Sequence, residues 1–163
     1  MKKEAFGKIQ GVLRIALGLI FLWAFFDKLL GLGFATLPEK SWLAGNSPTS
    51  GFLSNSVYGP FVNIFHSLAG NPIVDWLFML GLLLVGLSLI SGILTKIAGL
   101  SGSMMMLFMW LSMLPPKNNP LIDEHIIYII ILIGFIFFDA GDHLGLGKKW
   151  SSLSFVKNNK WMK

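Results

Sequence analysis

The stretch Asn119-Pro120-Leu121-Ile122-Asp123-Glu124-His125, the apolar run that follows to Phe138, and then Asp139-Ala140-Gly141-Asp142-His143 decide the reading of this chain. Between His125 and Asp139 no residue carries a charge, and only Tyr128 has a side-chain polar atom. Those fourteen helical steps span ~21 Å, against a bilayer hydrocarbon core of ~30 Å. A helix carrying this run across a membrane must sink a polar end below the headgroups, where ionisable groups need a partner or a wet cavity. The first apolar segment is pinched in the same way, since Arg14 to Asp27 covers ~20 Å.

Composition agrees with lipid as the solvent. The chain has 163 residues, of which 54% are hydrophobic and 13% charged, about half the charged fraction of soluble domains. Its mean hydropathy is +0.69. The absence of cysteine excludes disulfides, thiolate nucleophiles and cysteine-ligated metals. Net charge is +5, but the lysines gather at the two ends beside apolar spans. That placement suits an anionic leaflet and not a nucleic-acid groove.

Four apolar stretches are long enough to span, at about 9–33, 72–95, 97–114 and 120–141. They predict an all-α, four-transmembrane-helix bundle forming a single domain in the cell (plasma) membrane. Lys2 and Lys3 before an apolar run imitate a signal peptide. The run is longer than an h-region and contains Arg14, so a permanent helix is expected. With the N-terminus cytoplasmic, ten of the thirteen Lys and Arg residues fall on the cytoplasmic side, including the basic tail at 145–163. Lys28, Lys40 and Lys117 fall on the other, so both termini are expected inside.

Between the first two spans lies an outer loop, 34–71. Within it Val57–Leu68 places Phe61, Ile64, Phe65 and Leu68 at i, i+3, i+4 and i+7, predicting a short helix on an apolar surface. Such a helix is either an interfacial cap or a lid over a site with His66 pointing in. Asn71-Pro72 and Asn119-Pro120 both read as helix starts. Ala98 and Gly102 permit close helix approach, which also makes a homo-oligomer plausible. Met104, Met105, Met106, Met109 and Met113 read as adaptable packing.

The chemistry-bearing residues collect at the outer ends of the first and fourth spans. Equal spacing places Asp27 and Lys28 level with Glu124 and His125, and Arg14 level with Asp139. The expectation is that these two helices are neighbours, with Arg14 and Asp139 as a structural ion pair. Glu124 and His125 are candidates for proton handling and Lys28 for positive charge, with Asp27, Asp75, His66 and Tyr128 as ligand contacts. Tyr128 lies at i+3 from His125, so both can face one apolar cavity near the interface, the kind of place a quinone ring requires. Asp75 and Asp123 also suit simple helix capping. No spacing pattern calls for haem, flavin or metal in this chain.

Arg14-Ile15-Ala16-Leu17-Gly18 with Phe21 and Lys28 resembles the first helix of the DoxX family and of its relative, the DoxD-type small subunit of thiosulfate:quinone oxidoreductase. Gly86-Leu87-Ser88-Leu89-Ile90-Ser91-Gly92-Ile93-Leu94-Thr95-Lys96 resembles that family's passage from second to third helix. Asn119-Pro120 with Asp123-Glu124-His125 and Tyr128 is similar to the entry of archaeal and bacterial members into helix four. The first helix departs by carrying Ala24-Phe25-Phe26-Asp27 where many members have a His-Gly pair. The resemblance implies a membrane subunit of a quinone-linked oxidoreductase, with a second subunit as partner and Lys28 facing an oxyanion such as thiosulfate. Two other classes fit the same layout: a small transporter or channel for an anion or sulfur compound, and a non-catalytic anchor or assembly protein.

Overall fold

The computed structural model describes residues 2–162. It is all-helical, with no strand among the described residues. In chain order the helices are α1 (Lys2–Leu30), α2 (Ser50–Asn55), α3 (Val62–Ser67), α4 (Pro72–Ser91), α5 (Thr95–Ser112), α6 (Glu124–Phe137), α7 (Gly147–Ser152) and α8 (Ser154–Asn158). Two of them, α1 over Glu4–Leu30 and α4 over Pro72–Ser91, are long and apolar enough to cross a membrane.

The four long helices run up and down, each antiparallel to the next. α1 lies along α4, α4 along α5, and α5 along α6. Small residues set the α1–α4 distance. A Cβ on Gly18 would sit 3.0 Å from the Gly86 carbonyl oxygen, and one on Gly86 would sit 3.0 Å from the Leu22 nitrogen. Gly99 is equally tight against Leu132 of α6, so the small face of α5 packs within the chain. Phe21, Met79, Leu82, Val85, Leu89, Leu132 and Phe135 form the core between the helices. The expected adjacency of the first and last long helices is corrected: α1 is partnered by α4, because glycines on both permit backbone contact that α6 does not offer. α1 meets the end of α6 at Phe6 and Phe138, whose rings stack edge to face at 5.9 Å.

Asn71 caps α4, its side chain accepting from the Ile73 nitrogen at 2.9 Å, as its sequence predicts. Asn119 does not start α6. It accepts from Leu121 and Ile122 nitrogens in a turn, and Asp123 is the cap, taking the His125 and Ile126 nitrogens. A carboxylate is the better acceptor for the positive end of the helix dipole. The predicted helix over Val57–Leu68 is broken, since the turn at Gly59 brings that backbone against Leu114; only α3 remains.

Arg14 is fully buried. The expected ion pair with Asp139 is not formed, and Asp139 is exposed. The five guanidinium N–H groups find five backbone carbonyls instead. Nε donates to Ala140 at 3.1 Å, Nη1 to Leu89 and to Ile90 at 3.0 Å, and Nη2 to His143 at 3.2 Å and Leu144 at 3.0 Å. Leu89 and Ile90 close α4, where carbonyls have no helical partner and the dipole is negative. Gly92, left-handed at φ 77, ends α4 beside the Arg14 guanidinium. One cation thus ties the end of α4 to the chain segment leaving α6.

Arg14→Met, which strands these carbonyls, is expected to cost roughly 3–5 kcal/mol. Arg14→Lys should recover little of it, because an ammonium cannot fork to five acceptors. Asp139→Asn should stay within about 0.5 kcal/mol. Thermal unfolding of the detergent-solubilised variants decides, and an equal loss in Asp139→Asn would reinstate the ion pair.

Candidate functional site

The segment from Gly31 to Asn71 is held to the helix ends at three points. At the first, α1 ends in left-handed Gly31 (φ 69) and the chain doubles back. The buried Asp27 carboxylate accepts from the Phe34 and Ala35 nitrogens at 3.2 and 3.0 Å. Trp42 and Leu43 nitrogens then bond the Lys28 and Leu29 carbonyls. At the second, the buried Asp75 of α4 accepts from the Ser47 and Thr49 hydroxyls at 2.8 and 2.5 Å. At the third, the Tyr58 nitrogen bonds the Ser112 carbonyl at the end of α5.

Pinned in this way, α2 and α3 roof a cavity of about 540 Å³ over α4 and α5, within the range of small-molecule sites. Phe52, Leu53, Phe61, Ile64, Phe65 and Leu68 form the roof. Val74, Leu77 and Phe78 of α4 and Met104, Met105, Phe108, Met109 and Leu111 of α5 form the floor. Three polar side chains reach the wall: Lys28, Thr49 and Ser112. Thr49 donates its hydroxyl to Asp75, and Ser112 donates to the Met109 carbonyl at 2.7 Å. Lys28 Nζ stands 5.9 Å from the centroid of the Phe78 ring. Among the described residues no hydrogen bond or ion pair engages it, since Asp27 is turned toward the loop. An apolar chamber with one uncommitted donor has the chemistry to complement a greasy molecule that presents an acceptor.

The residues expected to share one site are divided by the structure. Lys28 lines the cavity, while Asp27 and Asp75 are the anchors that hold its roof. The stripe Phe61, Ile64, Phe65 and Leu68 forms a lid, as one of its two readings holds, but His66 is exposed and lies outside the lining. His125, Glu124 and Tyr128 also lie outside it. His125 is buried and its Nδ1 pairs with Asp123 at 3.0 Å; Glu124 is exposed; Tyr128 packs against the core. Donor atoms of Asp123, Glu124 and His125 lie within 4.8 Å of one another, but the Asp123 carboxylate is already committed to the α6 cap. Sequence reasoning missed the α5 methionines as a cavity floor and α2 as part of the roof. The period of Met105 and Met109 against Phe108 was the available signal, but a methionine stripe fits core packing equally well.

Asp75→Ala removes the middle anchor. It should speed limited proteolysis between residues 41 and 60 and lower stability by roughly 1–3 kcal/mol, the cost of stranding polar partners. Cleavage unchanged from the parent chain would show that the roof does not depend on this carboxylate.

Comparison of the chain with family models, with curated proteins and with solved structures finds no match.

Proposed function

We propose that this chain is a multi-pass protein of the cell (plasma) membrane and the quinone-binding membrane subunit of an oxidoreductase. The observation that carries the reading is the cavity at the loop end of the helices, largely apolar, with the Thr49 and Ser112 hydroxyls bonded elsewhere and the Lys28 amine uncommitted. In this reading α1, α4, α5 and α6 all cross, with both termini cytoplasmic. α5 and α6, at 18 and 14 residues, extend ~27 and ~21 Å. The outward faces of all four helices support the crossings, because they carry large exposed apolar side chains: Leu19 and Trp23 on α1, Leu84 and Leu87 on α4, Leu100 and Leu107 on α5, Ile130 and Ile133 on α6. Soluble surfaces rarely carry such continuous apolar area. The short polar-to-polar span of α1 is compatible with a crossing because Arg14 and Asp27 are both buried and satisfied by backbone groups. The excess of lysine on the terminal side supports the orientation.

The cavity fits a substituted quinone ring by size and by chemistry. Lys28 donates to a ring carbonyl, the Phe52 and Phe78 rings give apolar contact, and the roof excludes water. A quinone bound there supplies an acceptor for electrons and protons. The resemblance to the DoxX family points to the same ligand class and to a second subunit as the source of electrons. In this reading the site lies where α1, α4 and α5 meet, since Lys28 and the α4 and α5 side chains line the cavity.

Two measurements test this. Because the chain lacks cysteine, single cysteines at Asn46 and Asn158 report topology without background. An impermeant maleimide should label Asn46→Cys in intact cells and Asn158→Cys only after permeabilisation; labelling of both from one side would remove the crossing scheme. For the site, Lys28→Met should weaken binding of a decyl-tailed benzoquinone about tenfold or more, the worth of one hydrogen bond from a charged group. His125→Ala and Tyr128→Phe should leave that affinity within about twofold, because neither side chain reaches the cavity. Equal affinity in Lys28→Met and the parent chain would remove the site.

A further inference from the structure

The cavity is roofed but not closed at the side. Four residues that line it are also strongly exposed: Leu77 of α4 at 68%, Met104 and Phe108 of α5 at 51% and 55%, and Ile64 of α3 at 60%. A residue that is both chamber wall and outer surface marks an opening. Here the opening lies between the upper halves of α4 and α5, beneath α3. The surface it meets continues as apolar stripes, through Leu80, Leu84 and Leu87 on α4 and through Leu100 and Ile97 on α5. These residues recur at helical spacing, so each stripe keeps one face. Large apolar side chains therefore line the groove leading from the mouth, and the Ser101 hydroxyl on the α5 face is turned back onto the Ile97 carbonyl at 2.8 Å. The one donor, Lys28, comes from α1 and lies in the cavity wall.

We infer that the cavity loads sideways from the bilayer and takes an amphiphile whose acceptor head meets Lys28 while its hydrocarbon tail leaves between Leu77 and Met104, along the α4–α5 groove. Leu77, Met104 and Phe108 are then the residues that select for a tail, and a tail-free ring lacks most of what the site recognises. This rests on the ligand reading above and narrows it to a prenyl- or alkyl-tailed quinone. The same chemistry, an acceptor on a long chain, is also presented by a fatty-acid carboxylate.

The experiment uses the full chain in lipid nanodiscs and a benzoquinone whose alkyl tail carries a photoactivatable diazirine. After illumination, crosslinked residues are mapped by mass spectrometry. Adducts are expected on Leu77, Met104 or Phe108. They should be lost in Lys28→Met, which frees the head, and strongly reduced in Met104→Trp, which fills the mouth. Ile130→Trp, on the outward face of α6 and away from the groove, should leave the pattern unchanged. Adducts on α6 or on the loop that still depend on Lys28 would overturn sideways loading and leave the cavity reading standing. Adducts indifferent to Lys28→Met would overturn the cavity reading itself. Competition by unlabelled decyl-tailed quinone, with palmitate ineffective, supports the quinone head. Palmitate displacing the probe as well as the quinone does overturns that head assignment.

Discussion

A guanidinium that meets five carbonyls and no carboxylate is the constraint around which the rest of the molecule is arranged. A helix end buried within a protein leaves its last carbonyls without helical donors, and each costs free energy unless a partner is supplied. The carbonyls at the end of α4 are in that condition, and so are those of the segment that leaves α6. Arg14 answers both at once from a third element. Its reach requires α1 to lie against the end of α4, which Gly18 and Gly86 permit by letting the two backbones touch. It also requires the Ala140–Leu144 segment to fold back over α1, where Gly7 and Gly11 leave room for His143 and Leu144. The Ser91 carbonyl is taken separately, by the Leu146 nitrogen at 2.8 Å. The end of the bundle that carries the chain termini is thereby closed by backbone hydrogen bonds and by close glycine contacts.

The opposite end is built on another principle. There, two buried carboxylates receive donors from a loop. Asp27 takes two backbone N–H groups and Asp75 two hydroxyls. Arg14 and Asp27 are mirror images in function, a cation for stranded acceptors and an anion for stranded donors. They sit on one helix, thirteen residues apart, at the spacing that first singled out α1 as a pinched apolar run. The short polar-to-polar distance is explained by this arrangement, since each charge is buried with partners supplied by backbone. No cross-helix ion pair is needed, and a buried ion pair often gains little over its desolvation cost.

The helix content and the ends of α4 were legible in the residues themselves. Asn71-Pro72 and Gly92 are local signals that act within a few bonds of where they stand. The stripe at Phe61, Ile64, Phe65 and Leu68 was legible as an apolar face, though the helix expected over Val57–Leu68 is shortened to Val62–Ser67 and His66 is turned out. What the sequence concealed was long range. The choice of α4 over α6 as the partner of α1 depends on two glycines meeting across a helix pair, and glycine in an apolar run has many other uses. The partners of Arg14 were hidden because backbone carbonyls carry no sequence signature, so the nearest acid, Asp139, stood out in their place. His125 was misleading for a related reason: a histidine beside two acids looks like proton chemistry, while its neighbour Asp123 is committed to helix geometry.

The contrast between the two ends also explains why the space at the loop end, about 540 Å³, far exceeds the space of about 10 Å³ beside Gly92 and Gly141 at the other. Glycine contacts and main-chain hydrogen bonds leave side chains little freedom, and such packing closes space. Side-chain anchors spaced along a loop of some forty residues hold it at points and leave the intervals to be filled by whatever side chains hang there. Between the Asp75 anchor and the Ser112 contact those side chains are Phe52 and Leu53, and just beyond it Phe61, bulky rings and branches that bridge a gap without filling it. The methionines beneath them are flexible enough to line a space of variable shape. The cavity thus lies where the chain is held least continuously, which is also where local opening needs the least free energy. Arg14 fixes the end of α4 at one end of the bundle, and at the other the loop bridges the space over α4 and α5.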